Sequence, residues 1–266
     1  MRPTVRVATI NIWNRMGPWE ERLAALRAEL VRLDADLVGV QEVLRMPEYA
    51  FDQGAALAEG LGYHVAFGRH EAAPESRIGN AILSRFPVES VAVHPLPGTD
   101  ELRCVLFAAV RSPHGMLPVF TTHLNWRLDE GHVRQTQVAS LVQFVDRCAP
   151  AAREGIPPIV MGDFNAEPDA DEIRYLRGLT PLGGRSVYFA DCFAVAGDGS
   201  AGHTYARSNE FAAMLREPNR RIDYIFVRGP DERFRGEPLD AALAFTTKVG
   251  GVLPSDHYGV VATVGL

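Results

Sequence analysis

A stretch of this chain that reads as a buried strand ends in side chains that a core rejects. Residues 157–172 read PPIVMGDFNAEPDADE: Ile159, Val160 and Met161 are apolar, and Gly162, Asp163, Phe164 and Asn165 follow. Strand side chains alternate faces, so the pattern predicts Asp163 and Asn165 on one face, about 7 Å apart. A carboxylate taken out of water is costly unless it is paired, hydrogen-bonded or bound to a cation. The same conflict recurs at five other places. Asn11 closes a first strand and Glu42 a second. His123 and Asn125 close VFTTHLN, Asp223 interrupts RIDYIFV, and Asp256 and His257 precede the last strand. Each has an ordinary explanation alone: a turn former, a core histidine, a helix cap, a salt bridge from Asp223 to Arg220 or Arg221. Six together point to one shared site, and the fold must bring those strand ends to one place.

The pattern between these points alternates strands with helices. Val5, Val7, Thr9 and Asn11 share one strand face. GPWEERLAALRAELVRLD follows with Trp19, Leu23, Leu26, Leu30 and Leu33 at helical spacing and Pro18 suited to a first turn. ADLVGVQEV is an almost wholly apolar strand, and a second helix is expected near Phe51–Leu61. YHVAFGR, NAILSRFPV, RCVLFAAV and LPVFTTHLNW read as successive strands separated by Pro and Gly. An amphipathic helix is predicted over His132–Cys148, with Val138, Leu141, Val142 and Val145 inward, and a short helix near Ala170–Leu179. SVYFADCFAVA, RIDYIFVRG, LDAALAFTT and HYGVVATVGL complete the strands. Residues 183–220 are polar, Gly-rich and long for a loop, which suggests a substrate-side loop. Such alternation predicts mixed sheets buried between helices, and residues 1–266 are expected to form a single domain.

The 266 residues carry a net charge of −6, which argues against a protein that coats nucleic acid electrostatically. A basic cleft on an acidic body remains compatible with it. Cys104, Cys148 and Cys192 are widely spaced and form neither a disulfide framework nor a zinc site. A reduced, cytoplasmic setting is the expectation. Residues 1–14 read as a strand from the start, without a signal-peptide pattern, and no run is long enough to span a bilayer. Carboxylates and amides are hard oxygen ligands, suited to Mg²⁺, Mn²⁺ or Ca²⁺.

The segments TINIWN, GVQEV, GNAILSRFP, TTHLN, MGDFNAEPD, RIDYIFV and SDHYGVV occur in that order. Together they resemble the endonuclease/exonuclease/phosphatase superfamily, also called deoxyribonuclease I-like, from about Val5 to the C-terminus. The resemblance implies a four-layer α/β sandwich: two packed mixed β-sheets flanked by helices, with the site at one edge and the halves related by a pseudo-twofold. It implies that Glu42 is the principal metal ligand, with Asn11 beside it and Asp256 sharing, for Mg²⁺ or Mn²⁺. It implies that Asp163 orients the attacking water and that Asn165 donates to a phosphate oxygen. His257 would be a general base or a cationic clamp, oriented by Asp223, and His123 would donate to the scissile phosphate.

The implied activity is hydrolysis of a phosphodiester or phosphomonoester, on a small molecule or on nucleic acid. A DNA or RNA nuclease and a catalytically inactive binding module are the alternatives. For substrate contact the sequence offers Asn125, Trp13, Trp126, Arg69, Arg77 and Tyr205, with Trp19 and Thr204 beside them. The tryptophans could stack on a base or sugar, and the arginines could grip a second phosphate.

Overall fold

Each sheet is organised round one parallel pair of strands joined by a helix. The computed structural model describes residues 2–72, 77–98, 101–150 and 155–266; Met1, at the head of the first expected strand, lies outside them. The chain begins with β1 (Thr4–Asn11), α1 (Trp19–Leu33) and β2 (Leu37–Met46), then β3 (Phe51–Asp52), α2 (Gln53–Ala58), β4 (His64–Gly68) and β5 (Ile78–Ser84). The middle holds β6 (Val88–Pro95), β7 (Cys104–Ser112), β8 (Gly115–His123), α3 (Gly131–Cys148), β9 (Ile159–Asp163) and α4 (Asp171–Leu176). The last third holds β10 (Ala190–Asp191), α5 (Cys192–Ala196), α6 (Glu210–Ala213), β11 (Asp223–Val227), β12 (Pro238–Ala244) and β13 (Gly259–Gly265).

Among the described residues one sheet has seven strands, in the order β12-β13-β1-β2-β5-β4 with β3 on β2, and the other six, in the order β10-β11-β9-β8-β7-β6. β1 and β2 are parallel across α1, β8 and β9 are parallel across α3, and the remaining pairs are antiparallel. The two β-α-β units are the repeated half of the fold. The inward faces meet in one core that includes Val5, Val7 and Leu37 from the first sheet and Leu106, Val119, Met161 and Ile225 from the second. Leu26, Leu30 and Leu33 of α1 cover the outer face of the first sheet, and Val138, Leu141, Val142 and Val145 of α3 cover that of the second. Helix, sheet, sheet and helix thus make four layers, each joined by apolar stripes of the period its element requires.

SVYFADCFAVA departs from the strand expectation. Only Ala190 and Asp191 pair with β11, because the Asp191 side chain accepts from Ala194 N and caps α5. The long segment 183–220 therefore contains β10, α5 and α6.

The strand C-terminal ends of both parallel pairs emerge at one edge. Asn11 pairs with Gln41, His123 pairs with Asp163, and Asp163 pairs with Asp223 of the antiparallel β11. Just before that edge Gly162 has φ +142°, and a Cβ there would be driven into the Thr122 carbonyl of β8. Gly162→Ala is expected to destabilise the fold by about 2 kcal/mol or more, read as a lower denaturant midpoint with unchanged slope. An unshifted midpoint would contradict this packing.

Candidate active site

Glu42 reaches the edge through a bulge, not by closing its strand as the sequence suggested. β2 continues to Met46, and its pairing with β5 shifts between Val40 and Val43. Val38, Val40 and Val43 all belong to the apolar layer beneath α1. Strict alternation would have sent Glu42 into that layer with Val38 and Val40. The extra residue, with Glu42 at φ +59°, releases it toward the edge. Its Oε1 accepts from Asn11 Nδ2 at 3.2 Å and its Oε2 from Asn14 Nδ2 at 3.0 Å. Two amides, not an arginine, hold this carboxylate.

Asp163 lies across from Glu42, on the second sheet. Its Oδ2 accepts from Asn11 Nδ2 at 3.0 Å, and its Oδ1 accepts from Asn165 N at 2.9 Å. Burial raises the Asp163 carboxyl above its ordinary value, and the Asp223 charge adds to this against the pull of His257 and two hydrogen bonds. Asn165 does not share a strand face with it. β9 ends at Asp163, and Asn165 turns into the cleft with left-handed backbone, φ +50°. One amide N–H of Asn165 donates to Leu124 O at 3.1 Å. Trp13, Asn14, Glu42 and Asn165 all have positive φ, so strain is concentrated here, as it is where backbone is bent to aim side chains.

Two buried histidines flank Asp163 Oδ2, His123 Nε2 at 3.4 Å and His257 Nε2 at 3.8 Å. Their other nitrogens have opposite partners. His257 Nδ1 donates to Asp223 Oδ2 at 2.9 Å, whereas His123 Nδ1 accepts from Arg103 Nη1 at 2.9 Å. Burial alone would lower His257, but the Asp223 charge and hydrogen bond, with Asp256 and Asp163 behind them, raise it to about 10. Burial, Arg103 and His257 hold His123 well below the usual histidine range. Asp223 opens β11 instead of interrupting it, and it pairs with neither neighbouring arginine: Arg220 binds Glu217, and Arg221 binds Asp191. Thr204 Oγ1 accepts from Ile222 N and Asp223 N, fixing the start of that strand.

Asp256 stands on the first sheet's side of the cleft with Asn11 and Glu42. Ser255 Oγ donates its one proton to Asn11 O at 2.7 Å, with Asp256 Oδ1 at 3.1 Å as the alternative acceptor. Burial raises the Asp256 carboxyl, His257 opposes it and the Glu42 charge raises it again, to about 6. Beneath these loops Arg22 is fully buried and donates to the carbonyls of Ile12, Asn14, Met16 and Pro254. One guanidinium thus ties the Asn11–Asn14 turn to the segment carrying Asp256 and His257. The carboxylate oxygens of Glu42 and Asp256, with no sulfur beside them, fit a hard divalent cation, whereas Asn11 faces Glu42 with Nδ2 and its Oδ1 accepts from Trp13 N. Asp163, Asp223 and His257 also bring ligand atoms within 4.8 Å of one another. Their direct hydrogen bond uses His257 Nδ1 already, so we read this second group as an ion-paired relay.

A cleft of about 490 Å³ runs over these residues and includes Asn11, Glu42, His123, Asp163, Asn165, Asp256 and His257. Of the suggested substrate contacts, Trp13, Trp126 and Tyr205 line it; Tyr205 packs edge-on against His257, ring centroids 5.1 Å apart. The others do not. Asn125 is turned away, donating to Glu130 Oε2 and accepting from Arg127 N. Arg69 and Arg77 line a neighbouring pocket with Arg45 and Glu48, and Arg77 pairs with Glu48 at 2.6 Å. Trp19, the first residue of α1, is buried in the core beneath that helix's apolar face, and Thr204 is spent on backbone. Sequence reasoning missed Asn14, Glu101, Arg103 and Glu217 and raised Arg220 only as a partner for Asp223; all five border the cleft. Only Asn14, the residue after Trp13 in TINIWN, lay inside a motif that could have flagged it.

The profile of the Endonuclease/Exonuclease/phosphatase family matches residues 8–257. The Escherichia coli K12 protein YbhP is 30% identical over 177 residues, which cover 60% of this chain and 66%, just under two thirds, of that protein. The structure of D. rerio TDP2 complexed with single strand DNA product superposes with a TM-score of 0.77 at 22% identity, covering 99% of each chain. The endonuclease/exonuclease/phosphatase from Beutenbergia cavernae superposes with a TM-score of 0.73 at 26% identity, covering all of this chain and 72% of that one. The two mixed sheets flanked by helices are the deoxyribonuclease I-like fold that the ordered motifs implied. The chain belongs to the endonuclease/exonuclease/phosphatase family.

Proposed function

We propose that this protein is a divalent-metal-dependent phosphoesterase that hydrolyses a phosphodiester or phosphomonoester through a water oriented by Asp163. The observation that carries the reading is the placement of one buried carboxylate oxygen, Asp163 Oδ2, against Asn11 and between two histidines of opposite partner. Asp163 takes the water proton as the water oxygen forms its bond to phosphorus and the ester P–O bond breaks. Its raised pKa makes it a stronger base than an exposed aspartate while leaving it ionised at mildly alkaline pH. His257, held protonated by Asp223, clamps a phosphoryl oxygen as a cation; this favours the clamp over the general base. Asn165 has a second amide N–H for another phosphoryl oxygen, and His123 donates from Nε2. Glu42 and Asp256 would hold Mg²⁺ or Mn²⁺, with Asn11 fixing Glu42 by its amide N–H; when bound the cation supplies Lewis-acid polarisation of a phosphoryl oxygen and stabilises the leaving oxygen.

The cleft border favours a short phosphoester. Arg103 is matched by Glu101 and Arg220 by Glu217, so among the described residues this rim offers no cationic track for a long backbone. A nuclease is the second reading, favoured by the DNA product in the TDP2 structure and by Trp13 and Trp126 along the cleft. Turnover of bis-p-nitrophenyl phosphate, p-nitrophenyl phosphate, plasmid and single strands with Mg²⁺ and Mn²⁺ separates them: nuclease activity would fall steeply with salt. Silence on every ester would move the weight to an inactive binding module.

Three outcomes are expected. Asp163→Asn lowers kcat by about 10³-fold or more without lowering the melting temperature, because it replaces a carboxylate that burial already disfavours; near-native turnover would sink the mechanism. Dialysis against EDTA abolishes turnover, and added Mg²⁺ or Mn²⁺ restores it, whereas full activity in excess EDTA would exclude a metal requirement. The pH profile rises as Asp163 ionises and falls only as His257 loses its proton, toward pH 10. Asp223→Asn removes the two largest contributions that raise His257, leaving Asp256 and Asp163 against burial, so the alkaline limb moves acidward; an unmoved limb would show that His257 is not the group responsible.

A further inference from the structure

His123 and His257 look alike in the sequence, yet the structure gives them opposite partners. An arginine side chain has only N–H donors and does not deprotonate in proteins. The 2.9 Å contact from Arg103 Nη1 to His123 Nδ1 therefore requires the lone pair of Nδ1. The ring proton of neutral His123 must then sit on Nε2, the nitrogen that faces Asp163 and the cleft. Arg103 is not free to swing. Its Nε and Nη2 both donate to Glu101 Oε2, at 3.1 and 2.8 Å, and its backbone carbonyl accepts from Leu96 N, just before β7. β7 pairs with β8 through Val105 and Thr122, which sets the guanidinium beside the end of β8.

We propose that Arg103 is a positioning residue for His123: clamped by Glu101, it locks His123 as the Nε2–H tautomer and so fixes an uncharged donor toward the phosphoryl group. The catalytic consequence rests on the phosphoesterase reading above; the tautomer does not. A carboxylate in place of Arg103 would select the Nδ1–H tautomer or an imidazolium, as Asp223 does for His257. The clamp thus keeps two neighbouring rings from being charged together, which would place two cations 3.4 and 3.8 Å from one Asp163 oxygen.

The test is the side-chain nitrogen spectrum of ¹⁵N-histidine-labelled protein at neutral pH, with kcat and KM measured on the ester the wild type turns over best. In the wild type His123 shows a protonated Nε2 and a bare Nδ1. Arg103→Met keeps the apolar stem but not the donor, and gives a mixture of tautomers with kcat down about 10- to 100-fold and KM little changed. Arg103→Lys keeps a donor and restores the wild-type tautomer with part of kcat. If Arg103→Met does not fold, Glu101→Gln reads the same lock by loosening the clamp. Retention of the wild-type tautomer in Arg103→Met, or a changed tautomer with unchanged kcat, would overturn the proposal. If no ester is turned over, the phosphoesterase reading fails while the nitrogen spectrum still decides the lock.

Discussion

The site depends on one neutral side chain that touches both sheets. Asn11 Nδ2 donates to Glu42 on its own sheet and to Asp163 on the other. Its Oδ1 accepts from Trp13 N, and its backbone carbonyl accepts from Ser255 Oγ. One residue at the end of β1 therefore sets the spacing of two carboxylates, the loop after the strand and the segment carrying Asp256 and His257. A lysine here would neutralise the carboxylates and displace a cation, and a carboxylate would add a third negative charge. An amide supplies donors without spending charge, which is what the proposed site, receiving both a metal and an anion, would require.

Charge is then divided between two ends of the cleft. Glu42 and Asp256 lie on the first sheet's side, with Glu42 raising the Asp256 carboxyl. On the other side Asp223 faces His257, and among the described residues its Oδ1 has no hydrogen-bond partner. The charge of Asp223 is thus answered chiefly by the imidazolium, and removal of either leaves a buried ion unpaired, at a cost of several kcal/mol. Asp163 sits between the two ends. On the proposed mechanism its environment would have to tolerate a carboxylate that loses and gains a proton, and the amides and imidazolium around it suit that.

The sequence was most legible where side-chain period and structure agree. The stripes of α1 and α3 and the alternation of β1 placed Asn11 on the face that looks across to the second sheet. It was least legible where the backbone leaves the regular period. Alternation could not foresee that a bulge at Glu42 continues β2 to Met46, nor that Asn165 reaches the cleft through left-handed backbone. Asp191 turned an expected strand into a helix start with one side-chain hydrogen bond. Arg103 was invisible for another reason. An arginine ahead of an apolar strand is ordinary, and its partner lies 20 residues away across a hairpin.

On the phosphoesterase reading, what would distinguish substrates is found on the rim, not among the residues proposed to polarise the ester. The carboxylates and histidines are built from strand ends that the two-sheet fold fixes. Trp13, Trp126 and Tyr205 stand on the loops that follow or approach those ends, where sequence can change without disturbing the core. Trp126 is half exposed, while Trp13 packs on Phe211 of α6 and over the Arg22 guanidinium. The first can adapt to a bound group and the second cannot. A substrate with a flat apolar group beside its phosphate would bury Trp126 at little entropic cost, whereas a substrate that needs many phosphate contacts would meet Glu101 and Glu217 on the same rim. On that reading the rim would select by shape and stacking near one phosphate, and a long polyanion would gain little from it.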